Sequence, residues 1–164
     1  MRVSGFDSQR FRQVLGQVPT SVVVVTGFDS SGTPLGITIG SFVSVSLEPP
    51  LVGFLPGTSS RTWSAIAETR KFAVNVLAAD QAELCWRFAK ESDDRFAGVD
   101  WAPSSNGCPA LAGAIVAIDC DLESNGIHGD HHFAVGRVTN LDALRDASAM
   151  AFYRGKVVAV TPVE

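Results

Sequence analysis

The chain has 164 residues, 46% of them hydrophobic and 18% charged, which predicts one globular domain over residues 1–164 with a sizeable core. A net charge of −4 and a pI near 5.3 leave no overall electrostatic footprint for nucleic acid or an anionic membrane, so an anionic ligand must be held locally. No apolar run approaches the ~20 residues of a membrane helix, and the charges of Arg2, Asp7, Arg10 and Arg12 speak against a secretory signal. Three widely spaced cysteines, Cys85, Cys108 and Cys120, form no C-x-x-C pair, so neither a disulfide framework nor a zinc knuckle is expected, and a reducing cytoplasm fits.

The first element is a helix from about Asp7 to Val18, capped by Asp7 or Ser8, with Phe11, Val14, Leu15 and Val18 on one face. The period then changes. Val22 to Val25 is a β-branched run, and Asp29-Ser30-Ser31-Gly32 is a turn cluster that predicts a hairpin. A strand over Ile37–Ser46 ends at Glu48-Pro49-Pro50, because proline cannot donate to a ladder, and Leu51–Leu55 is another strand. One helix begins near Ser59 with Trp63, Ile66 and Ala67 on one side. A second begins at Asp80, where Asp80 and Glu83 have capping-box spacing and Leu84 and Phe88 face the core. Between them Phe72, Val74 and Val76 share one face of a strand. Residues 95–109 read as a long loop of the kind that is often functional. Ala114 to Glu123 alternates as a half-buried antiparallel strand, residues 124–130 form a turn, His131–Leu141 returns, and Lys156–Val160 closes the sheet. Many short strands with a few helices predict a mainly β fold, a small barrel rather than a doubly wound sheet.

Three segments carry candidate chemistry. Thr58-Ser59-Ser60-Arg61-Thr62 places hydroxyls, free N–H groups and a guanidinium at a helix start, which suits an anion, although simple N-capping by Ser59 or Ser60 accounts for the serines as well. Gly36 to Ser46 crowds glycines and small hydroxyl residues onto a strand, a surface for a flat heteroaromatic ring or else a solvated edge. His128-Gly129-Asp130-His131-His132 holds all three histidines. Neighbouring residues of a strand point to opposite faces, so His131 and His132 cannot share an ion without a bulge, and no metal site is expected. Neither G-x-G-x-x-G nor a P-loop occurs.

In order and spacing, several stretches resemble the flavin reductase-like family, the reductase components of two-component flavin-dependent monooxygenases. They are Phe11 to Thr26, Gly36 to Val52, Ser59-Ser60-Arg61-Thr62, Phe72 to Leu77, Asp94 to Val99, Gly129-Asp130-His131, and Phe152-Tyr153-Arg154-Gly155-Lys156. The resemblance implies an FMN-binding type of split β-barrel, usually a homodimer. It implies FMN or FAD lying across the Thr38–Val45 strand against Thr38, Ser41, Phe42, Ser44 and Val45. The phosphate end would rest on Ser59, Ser60, Arg61 and Thr62, with Arg95 and Phe96 on the flavin side. The histidine of the Gly-Asp-His motif, associated in the family with the nicotinamide nucleotide, carries over to His131; His132 follows directly, and periodicity alone does not choose between them. Tyr153 and Arg154 would line the nicotinamide side.

The implied activity is hydride transfer from NADH or NADPH to the flavin, with a flavin-dependent monooxygenase component as partner. The hydride step needs orientation rather than a proton relay. That agrees with the lack of a catalytic triad and makes His131 a positioning residue. A flavin store or sensor without turnover would share the flavin surface but have no need of His131.

Overall fold

The computed structural model describes residues 5–163. Helix α1 (Ser8–Leu15) is capped by Asp7, whose carboxylate accepts from Arg10 N at 2.8 Å. It is shorter than the periodicity predicts and buries none of its residues. The strands that follow are β1 (Thr20–Ser21), β2 (Val23–Phe28), β3 (Pro34–Ile39), β4 (Val43–Ser46) and β5 (Leu51–Phe54). Then come α2 (Arg61–Thr69), β6 (Lys71–Val76), α3 (Ala82–Ala89), β7 (Trp101–Pro103) and β8 (Pro109–Leu111). Long strands β9 (Val116–His128) and β10 (His131–Ala143) and the short β11 (Met150–Tyr153) and β12 (Lys156–Ala159) complete the chain.

Seven strands form one antiparallel sheet in the order β3-β2-β6-β9-β10-β5-β4. The two edge strands of this sheet, β3 and β4, are consecutive in sequence and separated only by residues 40–42. At 3.3–3.6 Å per residue, Ile39 and Val43 lie within about 14 Å of each other. The sheet must therefore curl until its edges nearly meet, yet no β3–β4 ladder closes it. This mainly β, open-seamed arrangement is a split barrel.

The sheet's two faces have different fillings. Val23, Val25, Ile39, Phe54, Phe72, Val74, Cys120, Leu122 and Ala134 point into one cluster, and α2 plugs it with Trp63 and Ile66. Phe54, Trp63 and Phe72 meet edge to face at centroid distances of 4.9, 5.5 and 5.8 Å. Each such pair contributes about 0.5–1.5 kcal/mol beyond area burial. On the other face Val22, Val24, Leu77, Leu111 and Met150 pack against Cys85 and Phe88 of α3. Asn75 crosses between layers, donating to Val24 O (3.1 Å) and Thr26 Oγ1 (3.0 Å) and accepting from Leu111 N (2.8 Å). All three cysteines are free and buried, and burial pushes the thiols of Cys108 and Cys120 up to about 11 and about 12.

Several expectations need correction. The Ile37–Ser46 strand is two strands, because residues 40–42 cross the seam. The Asp80–Glu83 capping box does not form: Gln81 Oε1 accepts from Ala78 N (3.0 Å), while Asp80 pairs with Arg145 (2.6 Å). Part of the 95–109 loop is a β7–β8 ribbon. Strand β9 runs to His128, leaving only Gly129 and Asp130 as the turn, with Gly129 at the positive φ (65°) that favours glycine. The final strand does not close the large sheet; it belongs to a separate sheet of order β1-β11-β12.

Gly136 on β10 lies directly under the aromatic plug. A Cβ there would strike Phe72 Cζ and stand 2.9 Å from Cys120 Cβ. Gly136→Ala is expected to destabilise the fold by about 1–3 kcal/mol through overpacking, read as a lowered urea midpoint with an unchanged slope.

Candidate functional site

Two adjoining clefts open where the barrel is split. The first, about 410 Å³, is built at the start of α2. Ser60 caps that helix, its Oγ accepting from Trp63 N at 3.1 Å. The capping reading of this serine is therefore correct. It does not exhaust the segment, because the N–H groups of Arg61 and Thr62 remain without acceptors inside the helix. The Arg61 guanidinium is exposed, lines the cleft and has no partner among the described residues. Ser59 and Thr62 complete the same wall. Free donors, a positive helix end and an unengaged guanidinium together fit a phosphate.

Arg95 supports this wall from behind. Its Nη1 donates to Thr62 Oγ1 (3.0 Å) and Gly36 O (2.9 Å), and its Nε to Lys90 O (2.6 Å). Burial pulls its pKa below the ordinary arginine value, with Glu91 partly offsetting this. Because Thr62 Oγ1 accepts from Arg95, its own proton is free to be donated elsewhere.

The second cleft, about 890 Å³, lies over the seam and is lined by Gly40, Ser41, Leu55, Phe11, Asp130 and His131 among others. Ser41 Oγ accepts from Leu55 N at 2.9 Å, holding the crossing segment against β5. His131 Nδ1 is 2.7 Å from Asp130 Oδ1. That hydrogen bond, followed by the charge of His131, holds the Asp130 carboxyl below its usual range. In the neutral imidazole it fixes the proton on Nδ1, which leaves Nε2 with a lone pair. The contact thus holds at neutral pH and is lost only as pH falls through the depressed carboxyl value.

The two clefts share a backbone. Thr58 donates to Asp130 O from both N (2.9 Å) and Oγ1 (3.1 Å), His132 N donates to Pro56 O (2.9 Å), and Gly57 bridges to His131. Trp63 Nε1 donates to Asn125 Oδ1 on β9 (3.1 Å). The start of α2 is therefore stitched to the Gly129–Asp130 turn.

The structure brings Ser59, Ser60, Arg61, Thr62 and Arg95 together at one end, and Ser41 and His131 at the other. It does not bring the remaining candidates to the clefts. Thr38 turns its hydroxyl to Cys85 O (2.7 Å) beneath α3, whereas Leu35 and Ile37 line the first cleft. Gly36 admits the Phe88 ring rather than a ligand. Phe42 packs against the barrel core, and Ser44 and Val45 lie exposed on the edge strand β4. Phe96 stacks its edge on Phe88 (5.1 Å) and Trp101 (6.1 Å). Tyr153 and Arg154 lie at the β11–β12 turn, where Arg154 covers the Tyr153 ring and donates to Gln17 (2.8 Å) in a separate recess. The small residues Ala134 and Gly136, which share a face with His132, admit the aromatic plug. His132 Nδ1 is shielded from solvent with no hydrogen-bond partner among the described residues, while His131 opens onto the cleft. Sequence reasoning missed Leu55 and the Thr58 clasp, since only the fold sets the loop beside the turn; Phe11 was read only as part of one helical face.

Known proteins resemble this chain over nearly its whole length. Residues 15–161 match the flavin reductase like domain family. The chain is 46% identical over 156 residues to the reductase subunit HsaB of a flavin-dependent monooxygenase from Rhodococcus jostii, covering 95% of this chain and 80% of that protein. It is 47% identical over 152 residues to a flavin reductase of Pseudomonas putida, covering 93% of this chain and 89% of that one. The solved structure of the NADH:FAD oxidoreductase SgcE6 of Streptomyces globisporus, in complex with NAD and FAD fragments, superimposes with a TM-score of 0.89 at 34% identity, covering 99% and 98% of the two chains. The fold and the site define a flavin-handling split barrel. The chain belongs to the flavin reductase like family.

The Asp130 contact can be read directly by ¹⁵N NMR of the imidazoles. In its neutral form His131 is expected to show the Nδ1-protonated tautomer. Asp130→Asn, which keeps an acceptor, should retain that tautomer, and Asp130→Ala should release it.

Proposed function

We propose that this chain is an NAD(P)H:flavin oxidoreductase in which the phosphate of FMN or FAD is held at the start of α2 and the nicotinamide nucleotide is positioned by His131. One observation carries the reading: an anion-binding helix start and an outward-facing, carboxylate-oriented histidine are clamped together through Thr58 and Asp130. The flavin supplies the hydride acceptor and the reduced nicotinamide the donor; the protein's task is alignment.

In this reading Arg61 and the N–H groups of Arg61 and Thr62 grip the phosphate, and Arg95 holds Thr62 Oγ1 in place. Ser41 fixes the backbone at the seam, where the ring system meets Gly40 and Leu55. His131 offers Nε2 to a donor such as the carboxamide N–H of nicotinamide. No side chain has to move a proton during the hydride step. A flavin store would gain nothing from the Asp130–His131 arrangement, which favours the enzyme. The reduced flavin is released to a flavin-dependent monooxygenase component, and three free thiols suit a cytoplasmic setting.

The same reading includes a homodimer of single-domain chains. Phe11, Val14, Leu15 and Val18 on and after α1 are all exposed, as are Val43 and Val45 on the edge strand and Leu47, 86% accessible, just beyond it. An unpaired edge beside exposed apolar side chains is the kind of surface that association covers.

Anaerobic stopped-flow mixing tests the activity: NADH or NADPH should bleach FMN or FAD far faster with the protein than without it. Failure with every pair leaves the store. Arg61→Ala should raise the flavin Kd roughly tenfold or more, since a charge-assisted bond contributes about 1.5–3 kcal/mol. His131→Ala should raise the KM for the nicotinamide with a smaller loss in kcat and little change in flavin affinity, as expected for a positioning residue. His132→Ala should act on stability instead; a kinetic defect confined to His132→Ala would reverse the assignment.

A further inference from the structure

Among the described residues, Arg12 alone lines both the second cleft and the recess beside it. That recess, about 360 Å³, takes Arg12, Gln13, Gly16 and Gln17 from the end of α1 and closes with Arg154 and Gly155 of the β11–β12 turn. Arg12, Gln13 and Gly16 fall on the side of α1 away from Phe11, Val14 and Leu15, so the helix has a polar side as well as an apolar one. Arg154 is pinned in place. Its N donates to Gly16 O (3.1 Å), its Nε donates to Gln17 Oε1 (2.8 Å), and its guanidinium carbon stands 5.0 Å from the centre of the Tyr153 ring. Arg12 is not pinned: its guanidinium has neither a hydrogen bond nor an ion pair among the described residues. A basic residue in the last turn of α1 also complements the negative end of that helix, but this leaves its N–H donors unspent.

We infer that Arg12 grips the diphosphate of the nicotinamide nucleotide where the second cleft passes into the recess. The inference rests on the reductase reading above. Charge balance is the first support. An anionic nucleotide approaching His131 meets the carboxylates of Asp7 and Asp130, which line the same cleft. Asp7 is engaged by Arg10 N (2.8 Å) and Asp130 by His131 Nδ1 (2.7 Å), so neither takes up Arg12. The Arg12 charge still reaches that pair: after the bond and charge of His131, it adds to what holds the Asp130 carboxyl below its usual range. Geometry is the second support. With the ring at His131, one ribose separates it from the diphosphate, and the cleft wall at that remove carries an unengaged planar fork of donors that matches two phosphate oxygens. Beyond it no carboxylate lines the recess, and the pinned Arg154 faces the continuing chain. Arg61 remains for the flavin, so different guanidiniums hold the two nucleotides.

Two measurements on the protein with saturating flavin test this: the calorimetric Kd for NAD⁺, and anaerobic kcat/KM for NADH and for reduced nicotinamide riboside, which carries no phosphate. Arg12→Ala should raise the NAD⁺ Kd and lower kcat/KM for NADH, each by roughly tenfold or more, as a lost charge-assisted contact requires. The same variant should leave kcat/KM for the riboside within about twofold. Arg12→Lys keeps the charge without the fork and should recover part of the loss. Arg10→Ala removes the same charge from the same helix and should leave every value within about twofold. Because α1 buries none of its residues, these substitutions leave the core intact. Unchanged NADH and NAD⁺ values in Arg12→Ala would overturn the inference and leave the reductase reading standing. So would equal losses with NADH and the riboside, which would place the effect of Arg12 at the Asp130–His131 pair, and so would a loss seen with NADPH alone, which would make Arg12 a reader of the 2′-phosphate. A wild type that reduces flavin with no donor would overturn both.

Discussion

The architecture depends on one chain-length constraint: the two edges of a seven-stranded sheet are tied together by residues 40–42. A sheet that twists right-handedly and must also return to its starting edge curls into a barrel, but among the described residues β3 and β4 form no ladder across the gap that residues 40–42 span. The seam that remains exposes backbone and small side chains at Gly40 and Ser41, directly over the second cleft. The interior has to be filled from outside the sheet, and α2 does this with Trp63 and Ile66. The helix that plugs the barrel is thereby fixed, and so is its N-terminus.

Rigidity at that point matters because hydride transfer tolerates little error in distance or angle. The start of α2 and the Gly129–Asp130 turn come from segments about seventy residues apart in sequence, yet they are joined by two hydrogen bonds from Thr58 to one carbonyl and by the indole of Trp63 on Asn125. Arg95 braces Thr62 from the opposite side. In the proposed reading the protein acts on its flavin and nicotinamide chiefly by holding them, its charged groups orienting rather than exchanging protons. His131 illustrates the economy of this: one carboxylate, itself exposed, sets the direction of the imidazole and the nitrogen that carries its proton.

The apolar surface left outside is unusual for a lone chain. The apolar face of α1 stays exposed, Phe11 stacking on Phe6 alone among the aromatic rings described, and β4 carries exposed valines on the sheet edge. The single apolar face read from the helical period is present, and it lies exposed. Burial demand can be met by a second chain as well as by the first, and periodicity does not distinguish them.

What the sequence determined by itself was local: the β2–β3 hairpin at Asp29–Gly32, the cap and apolar side of α2, the alternation of β9, and the convergence of hydroxyls and Arg61 at a helix start. Each of these is set by residues a few positions apart, through caps, turns and side-chain period. Tertiary structure decided which face of each element meets the core. Alternation separated His131 from His132 and Thr38 from Ile37, but a period of two gives only two sides, and not which one is inside. The small residue Gly36 looked like room for a ligand and proved to be room for Phe88, as Gly136 is for Phe72. The Thr58 clasp on Asp130, the seam at residues 40–42 and the separate sheet of β1, β11 and β12 join segments far apart in the chain, so their existence depended on how the barrel closed.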